Sequence, residues 1–323
     1  MPARQPLLLI FGSGDDADRV SQSGNRTYVT GSTDLGRLLP NRDLLHRLIV
    51  RPDSTEDLSG YLVIANMITE AENSANVLRN LGRLLTGLEA RIINPPAAVL
   101  RTTRDQVAQL LAGIPGLIAP KTIRLRGDEP GDARRTIEEA GLALPIIVRE
   151  VGTHTGKTAA LHANVDSAAA ALEPGREYIA TEFVDFSDDQ GVYRKYRVYF
   201  IGPHRILRHM YASDHWNVHS PDRARFMAPR SEIVAQERAL ISNPQPFGPR
   251  VEEVFNAIRA RMPLDFFGLD FALMPDGGEV LLFEANATMS FFPLMRVDDP
   301  IFTYLSACVP PAQAAFMELV GLS

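Results

Sequence analysis

The chain has 323 residues, of which 45% are hydrophobic, so it can bury a sizeable core, and its length predicts two or three compact lobes. Its net charge of −6 and pI near 5.7 argue against nucleic acid or an anionic membrane surface as a partner. The first apolar run, residues 7–11, is too short for a signal-peptide core or a membrane span, so we expect a cytoplasmic protein. The single cysteine, Cys308, excludes an intramolecular disulfide and supplies no zinc-type cluster.

The N-terminal part of the chain alternates short aliphatic runs with a helical pattern, which predicts an α/β unit with a mostly parallel sheet. The Asn94-Pro95-Pro96 sequence cannot continue a strand ladder, so we place a domain boundary there. The predicted domains are residues 1–94 and residues 95–323. The predicted elements of the first domain are strands at 7–11, 61–65 and 90–93 and a helix at 71–85.

The second domain divides into two predicted lobes, a small one at about residues 119–184 and a larger one at about residues 190–323. Both mix β-branched or aromatic runs with helical patterns. Strands are predicted near 119–120 and at 146–149, 158–161, 178–184, 193–201 and 205–211, and helices at 102–111, 132–140, 167–172, 232–241, 250–261 and 300–320.

Two apolar runs between residues 266 and 286 flank a Pro-Asp-Gly-Gly turn and predict a β-hairpin. With a three-residue loop, Asp270 lies opposite Glu284, and both side chains leave the same face of the sheet. Asn286 shares this face because the side-chain period of a strand is two. Two unpaired carboxylates would repel each other, and a bound cation would remove that cost. The all-oxygen set predicts a hard cation such as Mg²⁺, whereas a surface hairpin with solvated acids is the structural alternative.

This hairpin resembles the metal-binding core of the ATP-grasp superfamily, in which a Gly-x-Asp strand and a Glu-x-Asn strand hold Mg²⁺ against the phosphates of ATP. The resemblance covers roughly residues 95–295 and is strongest to the glutathione-synthetase and RimK-like type. It implies an α/β (α+β) protein with the ATP-grasp fold and an N-terminal α/β pre-ATP-grasp domain. It also implies ATP and Mg²⁺ (or Mn²⁺) as cofactors, with Asp270, Glu284 and Asn286 as the metal ligands.

A Gly/Thr-rich loop follows the predicted strand at 146–149. Its glycines, Gly152 and Gly156, let backbone N–H groups approach phosphate oxygens closely, although an ordinary β-turn would look the same. The resemblance implies that this is the flexible loop over ATP. The family usually places a lysine where this chain has Arg149, which still carries a charge and can bind two phosphate oxygens. Arg104 stands near the expected place of a second family lysine.

The segment that begins at Thr181 resembles the interlobe segment that holds adenine by backbone hydrogen bonds. The resemblance implies that Glu182, Phe183 and Val184 lie near the base. It also implies that Asp185, Asp188 or Asp189 is available for the ribose hydroxyls. An exposed acidic loop is the alternative interpretation.

Lys195 and Arg197 share one face of the predicted strand at 193–201. Two basic side chains on a strand that precedes a metal-binding hairpin could stabilise an anionic transition state. The alternative interpretation is a solvated basic edge of a sheet. In the family, the matching strand commonly carries an Arg that contacts the transferred phosphoryl group or acyl phosphate, which implies that role for Arg197. Arg197, Lys195 and Asn286 form the predicted catalytic set.

A polar and aromatic cluster occupies residues 213–219 and contains Asp214, His215 and His219. Pro221 and the lack of helical patterning predict a loop. Transition-metal ligation, contact with substrate or phosphate, and a purely structural role all stay open for this cluster.

Together the residues and the resemblance predict an ATP-dependent ligase. The resemblance implies that ATP converts a substrate carboxylate to an acyl phosphate, that an amine or a thiol attacks it, and that ADP and phosphate leave. The expected partners are small-molecule carboxylate and amine substrates, such as amino acids or peptides, with no nucleic acid and no membrane; homodimer formation is left open. A small-molecule kinase of the same fold and a non-catalytic nucleotide-binding module are the alternatives.

Overall fold

Three sheets and a small hairpin carry the described part of the chain, so the predicted mixed α/β class is confirmed. Among the described residues, no helix is both long and apolar enough to cross a bilayer. The computed structural model of the chain describes residues 5–12, 20–23, 26–29, 31–40, 45–127, 130–153, 158–275, 277–289, 291 and 299–322.

The elements are numbered in chain order. The strands are β1 (Gln5–Gly12), β2 (Val20–Ser23), β3 (Arg26–Val29), β4 (Leu45–Val50), β5 (Tyr61–Asn66), β6 (Arg91–Ile93), β7 (Leu117–Ile118), β8 (Thr122–Arg126), β9 (Ile146–Glu150), β10 (Ala160–His162), β11 (Glu177–Glu182), β12 (Tyr193–Ile201), β13 (His204–Ser213), β14 (Phe266–Leu273) and β15 (Val280–Asn286). The α-helices are α1 (Ala75–Leu84), α2 (Pro96–Val99), α3 (Arg104–Leu111), α4 (Pro130–Ala140), α5 (Val165–Ala170), α6 (Ser231–Ser242), α7 (Pro249–Arg261) and α8 (Val309–Val320). Two 3-10 helices span Leu35–Leu38 and Pro300–Cys308, and a π-helix spans Arg223–Met227.

The first sheet is parallel, as predicted, with the strand order β4-β1-β5-β6. Its central strand β1 is a continuous apolar run whose Leu7 and Leu9 are completely buried, as are the facing residues Val77 and Leu78 of α1. A run without alternation is typical of a parallel strand that is covered on both faces. The strand β4 was not predicted, because its exposed His46 and Arg47 interrupt the apolar pattern.

The second sheet is antiparallel, with the order β10-β9-β11-β8. The helices α4 and α5 pack against each other beside it, and Leu125, Ile137, Ile146 and Tyr178 belong to a small core of their own. This sheet falls within the predicted small lobe, residues 119–184, although the lobe boundaries stay a prediction.

The third sheet has the order β13-β12-β14-β15-β7 and is antiparallel except for the pair β15 and β7. Its interior is aromatic: Phe200 stacks on Phe267 with ring centroids 4.5 Å apart, and Tyr199 and Phe271 are also buried. Such contacts hold β12 and β14 in register, and these strands carry the predicted site residues.

Asn94 joins the first and third sheets. Its φ of 51° lies in the left-handed region, which Asn adopts more readily than most residues. Its backbone N–H donates to the Asp265 carboxylate at 2.7 Å, and its side-chain Nδ2 donates to the Phe266 carbonyl at 2.9 Å. Its Oδ1 accepts from the backbone N–H of Asp265 at 2.7 Å, so the residue before β14 is bound on both its backbone and its side chain.

The prediction of one continuous helix over residues 300–320 is wrong. A 3-10 helix ends at Cys308 and α8 begins at Val309. Pro310 and Pro311 have no backbone N–H to donate to the preceding turn, so they fit only the first turn of a new helix. Cys308 is buried at this junction.

Candidate active site

The predicted hairpin forms from β14 and β15, and Asp270 lies opposite Glu284 as expected. The pairing of Asp270 with Glu284 does not arise from a three-residue loop, as the sequence analysis assumed. Pairing extends to Met274 and Glu279, joined by a backbone hydrogen bond of 3.0 Å, so four residues, 275–278, connect the strands instead of three. A register shift directly after Asp270 compensates for the longer connection. Residue 276 of this connection lies outside the described residues.

Both carboxylates are paired with basic side chains, which contradicts the expectation of two unpaired acids. Arg197 lies opposite Asp270 on β12 and binds its carboxylate through two guanidinium nitrogens, with Nη2 at 2.6 Å from Oδ2. The same Nη2 donates to Glu284 Oε1 at 3.2 Å, and Arg104 donates to Glu284 Oε2. Lys195 Nζ lies 3.9 Å from Asp270 Oδ2. The expectation failed because the partners come from another strand and a helix, which the pattern of the hairpin does not contain.

The electrostatics of this cluster favour an anionic ligand. Burial alone would raise the pKa of Glu284, but Arg104 and Arg197 outweigh it and hold the pKa at about 2. Burial, and then repulsion from Arg104, lower the pKa of Arg149 to about 10, so it is still charged at neutral pH. Burial lowers the pKa of Lys195, and the nearby Asp270 opposes this shift. Three arginines and a lysine thus surround two carboxylates, and such an excess of basic groups attracts a polyanion.

The donor set of the hairpin fits a hard divalent cation. Asn286 lies two residues after Glu284, and its Oδ1 accepts one hydrogen bond, from the Thr288 backbone at 2.9 Å, which leaves a second lone pair. Two carboxylates and a carboxamide oxygen are ligands that Mg²⁺ and Mn²⁺ accept, although in this structure both carboxylates bind arginines. Across the described ranges, no three His, Cys, Asp or Glu side chains cluster as a metal site, so Asn286 would supply the third protein ligand.

Arg149 and the predicted glycine-rich loop lie beside this cluster. Arg149 Nη2 donates to the Thr153 carbonyl at 2.7 Å. Gly152 has a φ of 72°, and a Cβ there would come within 2.5 Å of Asn73 Oδ1, so glycine is required for two reasons. Asn73 Nδ2 also donates to the Gly152 carbonyl at 3.1 Å, which ties the loop to the N-terminal part of the chain. Gly156 lies outside the described residues.

A cavity of about 480 Å³ connects the charged cluster to an apolar and aromatic region. This is a typical volume for a small-molecule site. The charged part of its lining includes Arg104, Arg149, Lys195, Arg197, Asp270 and Glu284, and Asn286 lines it as well. The apolar and aromatic part of the lining includes Ile147, Phe183, Val184, Trp216, Leu282 and Phe283.

The predicted adenine segment lies at this apolar end, with one exception. Phe183 packs edge-to-face against Trp216 at a centroid distance of 5.9 Å, and Val184 lines the same wall. The Glu182 carboxylate accepts from the backbone N–H of Ala143 at 2.8 Å, which fixes the segment against the small sheet. Asp185 does not line the cavity; it is exposed and accepts from the Ser187 backbone at 3.0 Å, so its ribose role stays a prediction.

The sequence analysis missed several residues of the cavity wall, among them Arg208 and His209 on β13. They are 8% and 5% exposed, and His209 lies directly opposite Arg197. A consecutive Arg-His pair inside an otherwise apolar predicted strand was the available signal. Its significance depends on the register between β12 and β13, which the sequence did not define.

The polar cluster that contains His215 and His219 forms a loop, as predicted. A ring nitrogen of His219, Nε2, lies 2.6 Å from Asn217 Oδ1, and His219 lines the cavity. Burial, followed by repulsion from Lys195 and Arg149, lowers the pKa of His219 to about 4, so the ring is neutral at physiological pH. Asp214 is outside the cavity and pairs with Arg225 at 2.6 Å. The cluster therefore divides into a structural part and a part that faces the cavity.

Comparison with known proteins finds similarity in three-dimensional structure only. No protein-family model matches the chain, and no curated protein matches its sequence. The VanG D-Ala:D-Ser ligase from Enterococcus faecalis has a TM-score of 0.54 at 12% identity over 98% of this chain and 99% of its own. A RimK-domain ATP-grasp protein from Sphaerobacter thermophilus has a TM-score of 0.52 at 14% identity over 98% of both chains. A carboxyaminoimidazole ribonucleotide synthase from Aspergillus clavatus, in complex with ATP, has a TM-score of 0.52 at 14% identity over 97% of this chain and 79% of its own.

Proposed function

We propose that this chain, which has the ATP-grasp fold, is an ATP-dependent ligase that joins a small-molecule carboxylate to an amine or a thiol. The observation that carries the proposal is the charged end of the cavity, where basic side chains surround the Asp270 and Glu284 carboxylates. An excess of cations next to hard oxygen donors suits a nucleotide triphosphate. Fold likeness alone would not identify a reaction, because one fold hosts many functions.

The nucleotide would lie along the length of the cavity. Its base would occupy the apolar end, near Phe183, Val184 and Trp216, and its phosphates would face Arg149 and the loop of Gly152. The similar synthase from Aspergillus clavatus was crystallised in complex with ATP, which supports ATP as the nucleotide.

Asp270, Glu284 and Asn286 would hold Mg²⁺ or Mn²⁺. When bound, the ion would neutralise part of the phosphate charge and polarise the transferred group. Arg197 and Arg104 now bind the two carboxylates and would exchange them for phosphate oxygens, which guanidinium groups can bind through two parallel hydrogen bonds.

The reaction needs no side-chain nucleophile. An oxygen of the substrate carboxylate would attack the γ-phosphorus, and ADP would leave, which produces an acyl phosphate. An amine or thiol would then attack the acyl carbon, and inorganic phosphate would leave. Arg197 and Lys195, which both neighbour Asp270, would stabilise the negative charge of both steps, so the contribution of the protein would be positioning and charge neutralisation.

A screen for ADP release tests this function. The purified chain is incubated with Mg²⁺ and ATP and with pools of amino acids, dipeptides and other small carboxylates, each with and without added amines or thiols. We expect ADP and phosphate, with a rate that depends on a carboxylate. Release of AMP and pyrophosphate would refute the proposal, and a stable phosphorylated alcohol would assign the chain to the kinases.

We also propose the domain division that the sequence predicted, with residues 1–94 as an N-terminal α/β domain and residues 95–323 as the ATP-grasp domain. One observation supports it: β6, the last strand of the parallel sheet in chain order, ends at Ile93. Limited proteolysis with mass spectrometry would test the division.

A further inference from the structure

We propose that Arg208 and His209 form a subsite for the carboxylate group of the substrate, on the opposite side of Arg197 from the metal-binding hairpin. This inference rests on the ligase function proposed above and names the part of the cavity that recognises its acyl donor.

Arg208 and His209 are consecutive in the chain, yet both line the cavity. Successive residues of a regular strand point to opposite faces of the sheet. Here Arg197 pairs with His209 while Val198 pairs with Leu207, so Arg208 is the extra residue of a β-bulge. A bulge redirects side chains and is common beside active sites, and this one brings an Arg and a His to the same wall.

His209 is buried without a hydrogen-bond partner for its ring among the described residues. Among the described residues neither of its ring nitrogens has a hydrogen-bond partner, and the side chain is 5% exposed. Its ring is held in place by stacking on Tyr211, with centroids 3.9 Å apart and planes 22° from parallel. An unsatisfied buried polar group is destabilising, so this arrangement is best explained by a ligand that supplies the missing partner.

The charges around His209 identify that ligand as an anion. Burial, followed by repulsion from Arg208, Arg197, Arg223 and Lys195, holds the pKa of His209 well below its ordinary value. The ring is therefore neutral and presents one N–H donor. Arg208 lies beside it in the lining of the cavity, and the planar geometry of a guanidinium matches the two oxygens of a carboxylate.

The position of the subsite agrees with the chemistry of the proposed reaction. The strand order places β13 two strands from β14 and three from β15. Neighbouring strands lie about 4.8 Å apart, so His209 lies roughly 10 Å from the strand of Asp270, with Arg197 between them. A carboxylate held between β13 and Arg197 would therefore lie on the side of Arg197 from which one of its oxygens could approach and attack a γ-phosphate bound above β14.

Two variants separate this role from a structural one. His209→Phe keeps a ring that can stack on Tyr211 and removes the two unpaired nitrogens, so its melting temperature without ligands should equal or exceed that of the wild type. Arg208→Met keeps an unbranched side chain of similar length and removes the charge. Arg205→Met is the matched control, because Arg205 lies on the same strand but does not line the cavity.

The experiment measures the melting temperature in Mg²⁺ and a nonhydrolysable ATP analogue, with acetate, succinate, L-alanine or L-glutamate as the probe. We expect at least one acid to stabilise the wild type and the Arg205→Met control, and to lose its effect in both cavity variants. The affinity for the ATP analogue, measured by calorimetry, should change by less than about twofold. In ADP-release assays, the KM for the same acid should rise by at least about tenfold.

Four results would overturn the subsite. Three of them are a wild type that responds to none of the acids, a response that survives in both cavity variants, and a loss of ATP-analogue affinity that assigns the pair to the nucleotide. A ligand-free His209→Phe protein that melts far below the wild type would show a structural role and also count against it. If the acid binds through Arg208 but causes no ADP release, the subsite stands and the ligase proposal fails.

Discussion

The substitution Asp270→Asn distinguishes paired from unpaired acids in the ligand-free protein. The Asp270 side chain is 6% exposed, and its partners Arg197 and Lys195 are 23% and 14% exposed. Removal of one charge from a buried pair typically costs about 3 to 5 kcal/mol, because the remaining charge is left uncompensated. Since Arg197 keeps some solvent and Glu284 stays beside it at 3.2 Å, we expect the lower value, about 3 kcal/mol.

At about 2 °C for each kcal/mol in a chain of this size, the melting temperature should fall by about 6 °C. The measurement is a thermal melt by circular dichroism in the presence of EDTA. The matched control is Asp166→Asn, whose partner Arg134 lies at 2.7 Å but in a pair that is 72% and 53% exposed. Exposed pairs contribute at most about 1 kcal/mol, so the control should melt close to the wild type.

A melting temperature of Asp270→Asn that stays level or rises would refute the pairing, because it is the result expected of two acids that repel each other. The double variant Arg197→Met/Asp270→Asn should recover most of the loss, since it removes both partners. Turnover with Mg²⁺ and ATP, assayed well below both melting temperatures, should fall by at least about a hundredfold in Asp270→Asn, or roughly 2.7 kcal/mol in the barrier.

Three further predictions concern the neighbouring residues. Arg149→Ala should weaken binding of a nonhydrolysable ATP analogue by about 1.5 to 3 kcal/mol in calorimetry, with a smaller loss for Arg149→Lys, and an unchanged affinity would leave Arg149 with a structural role only. Gly152→Ala should lower the melting temperature, because the new Cβ would collide with Asn73 and because the φ of residue 152 is positive. The double variant Gly152→Ala/Asn73→Ala should recover only the share of the loss that the collision causes. Because the folded pKa of Glu284 is depressed from 4.5 to about 2, the stabilisation from its charge is complete above pH 4.5 and is lost as the pH falls toward 2. The stability gap between wild type and Glu284→Gln in urea should therefore shrink in acid, and a gap that stays constant would contradict this.

Local pattern was enough to find most elements of the fold. The strand β12 was predicted with the bounds that the structure shows, and α7 began one residue earlier than expected. Apolar periodicity and turn residues determine such segments, because they act over a few neighbouring residues. The same signals failed for β4, whose polar residues break the pattern, and for the C-terminal segment, where Pro310 and Pro311 divide one predicted helix into two.

The candidate site was predicted in composition but not in connectivity. The two carboxylates, Asn286, Lys195, Arg197 and Arg149 line the same cavity, and their roles in it stay a prediction. The ion pair between Arg104 and Glu284 joins residues that are 180 positions apart in the sequence, so no local sequence pattern could predict it. The two register shifts beside Asp270 and Arg197 also depend on the partner strand, so the wall formed by Arg208 and His209 could not be found before the pairing was known.

The hydrogen bonds of Asn94 constrain the design of chimeras in which the N-terminal part of the chain is exchanged for that of another protein. Asn94 stands at the proposed domain boundary, but it forms hydrogen bonds with Asp265 and Phe266. These two residues lie at the start of β14, a few positions before Asp270. Asn66 Nδ2 in turn donates to the Asn94 carbonyl at 3.0 Å. A chimera joined at this boundary would therefore separate Asn94 from its hydrogen-bond partners Asp265 and Phe266 and disturb the start of β14. Transplanted N-terminal domains should carry Asn66 and Asn94 together, onto recipients that keep an aspartate at the position of Asp265.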